Sequence, residues 1–157
     1  MLNEILAKLN QNEKLIGVGA IVALVGFVVG LVLTSQSYGV SVYSVTINWY
    51  SGSGAEGVGI IALILAIAAV VVVYLKYAPN MKIAWPAPLP LILLVITGVG
   101  ALAALLGLFD AFTYGGGVTG IDKPIMVLVA AVVVLVGCGI QAYGSYMEYS
   151  TNKTPAA

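Results

Sequence analysis

The chain has 157 residues, of which 61% are hydrophobic and only 8% are charged. Because soluble domains carry about 25% charged residues, this composition excludes an ordinary water-soluble fold. Six lysines balance six acidic residues, and the resulting lack of net positive charge argues against a nucleic-acid partner. Histidine is absent, so no imidazole is available as a metal ligand, haem ligand or general base.

The first fourteen residues form a polar segment ahead of the first apolar run. Its apolar residues lie at helical spacing: Leu2, Ile5, Leu6 and Leu9. This spacing is typical of an amphipathic helix in the membrane interface. A flexible N-terminus is the alternative, since isolated helices shorter than about 12 residues are marginal in water. Asn12 is a candidate cap for the next helix, although no Glu or Gln follows it at the capping-box position.

Four long apolar runs follow, and none contains Asp, Glu, Lys, Arg or His. Each is close to the 20 or so residues with which a helix crosses about 30 Å of hydrocarbon. We therefore predict an all-α membrane protein, a single four-helix transmembrane domain over residues 15–149 with a flexible tail at 150–157. The predicted spans are about 15–34, 57–75, 89–109 and 124–143. Tyr143, Tyr146 and Tyr149 continue the fourth helix past the bilayer, as an interfacial anchor.

The lysines predict the orientation. Five of the six fall on the side that holds both termini, and only Lys123 falls on the other. Under the positive-inside rule both termini are cytoplasmic, which implies a multi-pass protein of the plasma or inner membrane.

The two connections on the outer side carry the remaining polar features. In the connection at 35–56, residues 44–50 alternate polar and apolar side chains, and Val40 and Val42 alternate in the other register. This pattern predicts a short β segment with an irregularity near Tyr43. Glu56, Asp110 and Asp122 fall near the outer surface, where carboxylates from different loops could gather around a hard cation. Solvated acids at helix ends are the commoner explanation, and Glu56 and Asp122 lie beside helix starts, where negative charge is stabilising. We predict neither a metal site nor a cofactor.

Small residues mark one face of the first span. Gly19, Ala23, Gly26 and Gly30 are spaced four, three and four apart, and the last two form a GxxxG motif. Such a stripe permits close backbone contact with another helix, either within the chain or in a partner. Cys138, the single cysteine, is interpreted as a packing residue.

Three short segments resemble a known group of membrane proteins. They are Asn12-Glu13-Lys14-Leu15-Ile16, Trp49-Tyr50 and Gly144-Ser145-Tyr146-Met147-Glu148-Tyr149. In these segments the chain resembles small, uncharacterised four-span bacterial membrane proteins, although its Trp-Tyr pair comes some fifteen residues after the first helix rather than directly at its end. The resemblance implies topology and no particular activity.

The uncharged interior argues against proton-coupled transport, because such transport usually requires ionisable groups within the membrane. We expect a non-enzymatic structural, accessory or assembly subunit that contacts lipid and other membrane subunits or itself. The alternative is an oligomeric channel or transport component with an uncharged pore, for which Thr34, Thr97 and Gln141 are the polar candidates. An enzyme is the least expected, since catalysis needs a positioned titratable pair.

Overall fold

Four long helices make up most of the structure. The computed structural model describes residues 4, 7–34, 38–42, 45–49, 58–78, 83–113 and 125–153. Within these residues, each helix has the length and apolar composition needed to cross a membrane. The helical architecture predicted from hydropathy is thus confirmed. The helices are α1 (Gln11–Thr34), α2 (Val58–Tyr77), α3 (Leu89–Thr113) and α4 (Ile125–Lys153).

The helix ends differ from the predicted spans where polar residues continue a helix. α1 begins at Gln11 instead of near Leu15, because Asn10 caps it. α3 begins after Pro88, whose carbonyl accepts bonds from the amides of Leu91 and Ile92 at 2.9 and 3.2 Å. α4 continues past its predicted span through Tyr149, as the tyrosine spacing predicts, and ends at Lys153.

Two strands lie in the connection between α1 and α2, the stretch in which the sequence predicts a short β segment. They are β1 (Tyr38–Val42) and β2 (Val45–Trp49). They pair antiparallel, from Tyr38 opposite Trp49 to Val42 opposite Val45. Tyr43, where an irregularity is predicted, lies outside the described residues.

The helices pack in an order that differs from their order in the chain. α1 packs most extensively on α4, α4 also packs on α3, and α3 packs on α2. α1 and α2 contact each other much less, although they are consecutive in the chain. The seam between α1 and α2 is therefore the most open side of the bundle.

The small-residue stripe of α1 faces α4 of the same chain. A Cβ atom added to Gly19 would lie 2.5 Å from the carbonyl oxygen of Gly137, and one added to Gly26 would lie 2.8 Å from Cγ1 of Val133. A Cβ atom added to Gly137 would overlap the backbone nitrogen of Ala23. Gly30 is also buried. Of the two alternatives left open by the sequence, the geometry at Gly19, Ala23 and Gly26 therefore supports packing within the chain.

Small side chains fill the centre of the bundle and large ones cover its outside. Cys138 is 1% exposed and packs among alanines, as its interpretation as a packing residue predicts. By contrast Ile21, Leu102 and Phe109 are 59 to 62% exposed. A water-soluble protein rarely leaves so much large apolar surface uncovered, so this distribution is compatible with an integral membrane protein. The buried central core consists of Ala23, Ala62, Ala66, Ala103, Ala104, Val134 and Cys138.

Candidate functional site

Charged side chains are buried at the end of the bundle where α1 begins and α4 ends, which we call the terminal end. Glu13 is 1% exposed and Glu148 is 5% exposed. Their neighbours come from the start of α1, the end of α2 and the end of α4. We call the whole group the terminal polar cluster: Asn10, Asn12, Glu13, Lys76, Tyr77, Glu148 and Asn152.

Glu13 forms a capping box with Asn10. The amide of Glu13 donates to Oδ1 of Asn10 at 2.8 Å, and the amide of Asn10 donates back to Oε2 of Glu13 at 2.9 Å. Two backbone N–H groups at the start of α1 are thereby satisfied, and the carboxylate lies where the helix dipole favours negative charge. The sequence-based choice of Asn12 as the cap is thus wrong, because the Asn-x-x-Glu pattern starts two residues earlier.

The same carboxylate binds the end of α2. Lys76 Nζ donates to Oε1 of Glu13, and the Tyr77 hydroxyl donates to Oε2 at 2.7 Å. The Lys76 side chain is 35% exposed, whereas the Glu13 side chain is fully buried. A lysine near the end of a helix is also favoured by the helix dipole. Glu13 therefore fastens α1 to α2 at the terminal end, beside the open seam.

Glu148 binds the end of α4 to the start of α1. Its Oε2 accepts from Nδ2 of Asn10 at 2.9 Å and from Nδ2 of Asn12 at 3.3 Å. Its Oε1 accepts from Nδ2 of Asn152 at 3.3 Å and lies 3.7 Å from Lys76 Nζ. Lys76 is thus shared unequally by two carboxylates, with the closer contact to Glu13.

The charge balance of the terminal polar cluster explains its dependence on neutral donors. Two carboxylates and one ammonium leave a formal charge of −1 in a largely buried position. A buried charge is tolerated only when it is paired and hydrogen-bonded. Amide, hydroxyl and backbone donors supply the bonds that Lys76 alone cannot, and every carboxylate oxygen in the cluster has a contact. These carboxylates are suited to holding helices together and poorly placed to accept a substrate proton.

Gln141 joins three helices closer to the middle of the bundle. It is 1% exposed, and its Nε2 donates to the carbonyl oxygens of Ile16 on α1 and Ala66 on α2, both at 3.1 Å. Thr97 is also buried and donates to Leu93 of its own helix at 2.8 Å. Thus two of the three pore candidates, Thr97 and Gln141, donate hydrogen bonds to backbone carbonyls. Ser145, one turn beyond Gln141, is fully buried, and its hydroxyl has no hydrogen-bond partner among the residues that the structure describes.

The predicted outer acids cannot be compared with this arrangement. Glu56 and Asp122 lie outside the described residues, as does the side chain of Asp110. Within the described residues, no group of three or more His, Cys, Asp or Glu side chains could hold a metal ion.

The predicted spans exclude the terminal polar cluster, because those spans are defined by the absence of charge. The Asn10-x-x-Glu13 pattern is a capping signal that is visible in the sequence, and the order of the spans predicts that Lys76 lies on the same side as the termini. The contact of Glu148 with the other residues of the cluster could not be predicted, because it depends on which helices pack together. Comparisons with protein-family models, curated proteins and solved structures found no match to this chain.

Proposed function

We propose that the protein is an integral multi-pass membrane protein that acts as a non-enzymatic structural subunit, supporting the assembly of a membrane complex. One observation carries this proposal: the buried polar groups that the structure describes mostly bind other helices of the same bundle. Glu13 joins α1 to α2, Glu148 joins α4 to α1, and Gln141 joins α4 to both. Such bonds rigidify a bundle, and a rigid bundle with an apolar exterior can pack against other membrane helices.

The same contacts count against a pore through the centre of a single bundle. A pore needs polar groups that face a water-filled path. Thr97 instead donates to a carbonyl of its own helix and Gln141 to carbonyls of α1 and α2, and the centre of the bundle is filled mainly by alanine, with Val134 and Cys138. The side chain of Thr34, the third candidate, lies outside the described residues.

Native mass spectrometry of the protein extracted in mild detergent tests the proposed assembly role. We expect a complex heavier than one chain, containing either other membrane proteins or additional copies. An unaccompanied monomer extracted under several mild detergents would contradict the role. Reconstitution of the purified chain into liposomes provides the matched test of transport, and flux of ions or small neutral solutes above that of protein-free vesicles would favour the channel instead.

The proposed orientation can be tested by cysteine labelling, because the natural cysteine, Cys138, is buried. We expect a membrane-impermeant maleimide to label a Ser53→Cys variant in intact cells and a Thr154→Cys variant only after the cells are lysed. The reverse pattern would place the termini outside. Labelling of both sites in intact cells would contradict the three crossings that the topology places between them.

A further inference from the structure

An apolar groove runs along the seam between α1 and α2. Its volume is about 360 Å³, and most of its wall is aliphatic, with Glu13 and Tyr74 at the terminal end. The aliphatic residues include Ile16, Ala20 and Leu24 on α1 and Ile67 and Val70 on α2. An apolar cavity of roughly 150 Å³ holds one benzene molecule, so this groove has room for a hydrocarbon chain of roughly a dozen carbons.

The groove occupies only the terminal half of the bundle. Along α2 it extends from Ile67 to Tyr74, about 11 Å of helix rise, and along α1 from Glu13 to Leu24, about 17 Å. Further from the terminal end, Phe27 of α1 packs against the central core. A partner helix crossing the whole bilayer would need a surface about 30 Å long, whereas one leaflet contributes about 15 Å. The extent of the groove therefore matches a lipid chain that enters from one leaflet.

The terminal end of this groove holds the buried carboxylate of Glu13, which is paired with Lys76, and the exposed side chain of Lys14. Lys14 is exposed and lies one helical turn before Gly17, which lines the groove. Lys76 lies one turn beyond Val73, another lining residue, and its side chain is 35% exposed. Tyr74, which is 45% exposed, lines the same end, where an aromatic ring is favoured at the membrane interface. A phosphate group above an acyl chain in the groove would lie near Lys14, whereas the charge of Lys76 is balanced there by Glu13.

We propose that the groove is a phospholipid site, with one acyl chain between α1 and α2 and the phosphate beside Lys14. The lipid comes from the leaflet at the terminal end of the bundle. The acyl chain fills the seam between α1 and α2, which pack against each other less extensively than the other neighbouring helices do. This inference rests on the membrane insertion proposed above, but it does not depend on any protein partner.

Two glycines allow a matched test. Gly17 lines the groove, and a Cβ atom there would meet nothing within 4 Å; Gly139 on α4 is equally open but exposed outside the groove. Gly139 also lies at a similar depth, because Gly137 and Gln141 of the same helix contact Gly19 and Ile16. Leucine at position 17 would occupy the groove, whereas leucine at position 139 would face surrounding lipid.

The test is a titration of delipidated protein with phosphatidylglycerol in detergent, followed by native mass spectrometry. Wild type and Gly139→Leu are expected to bind one lipid with similar affinity, Gly17→Leu at least about tenfold more weakly, and Lys14→Gln several-fold more weakly. Equal binding by the two leucine variants, or binding of many lipids without a first preferred one, would overturn the site. An unchanged affinity of Lys14→Gln would overturn the proposed placement of the phosphate. A protein that stays in aqueous solution without detergent would instead overturn the membrane insertion itself.

Discussion

Replacing Gly137 with alanine is expected to destabilise the bundle by about 3 kcal/mol, at the upper end of the usual cost of overpacking. The added Cβ would overlap the backbone nitrogen of Ala23 and lie 2.6 Å from the carbonyl oxygen of Gly19. Backbone atoms inside a helix cannot rotate away as the end of a side chain can. α1 and α4 must therefore separate, and the small-residue contact along both helices is weakened at once.

The control is the same substitution two residues further along α4. An added Cβ at Gly139 would meet nothing within 4 Å, so Gly139→Ala should cost nothing and could gain up to about 1 kcal/mol from helix propensity. Stability can be measured from the loss of the helical circular-dichroism signal as sodium dodecyl sulfate is added to protein in mild-detergent micelles. Equal stabilities of the two variants would contradict the close approach of α1 and α4.

The helices could be predicted from the sequence, but which helices pack against each other could not. A charge-free run that is long enough to cross a bilayer as a helix can form few other stable structures. Side chains that face lipid and side chains that face another helix are both apolar, so hydropathy does not distinguish them. The spacing of Gly19, Ala23 and Gly26 indicates a close contact, yet it does not say that the contact is with Gly137 on α4.

In the terminal polar cluster too, contacts between residues close in the chain could be predicted and contacts between helices could not. The capping box of Asn10 and Glu13 is local, so it could be found in the sequence once the correct first residue was chosen. The positions of Lys76 and Glu148 near the same membrane surface follow from the order of the spans. Their contact with Glu13 and Asn10 requires α1, α2 and α4 to meet, and that meeting depends on close packing of small residues far along the chain.

Replacing Lys76 with methionine is the second substitution with a large expected effect. Methionine keeps most of the apolar stem but removes the ammonium, so that Glu13, which is 1% exposed, loses its ion pair. Glu148 loses its weaker contact with the same nitrogen at 3.7 Å. Removing one partner of a buried pair costs about 3 to 5 kcal/mol, and since the Lys76 side chain is 35% exposed we expect a lower value, about 2 to 4 kcal/mol.

The reciprocal substitution, Glu13→Gln, should cost less, about 1 to 2 kcal/mol, because Lys76 can turn toward water and glutamine can still accept a bond from Tyr77. The double variant should lose less stability than the sum of the two single variants, with a coupling energy of about 1 to 3 kcal/mol in the same detergent titration. That coupling should change little between low and high salt, because the Glu13 side chain is fully buried and screening acts mainly on exposed charges. Additive costs would mean that the two charges do not interact in the folded bundle, in which case α2 would be held at the terminal end by Tyr77, by the weaker contact of Lys76 with Glu148 and by packing.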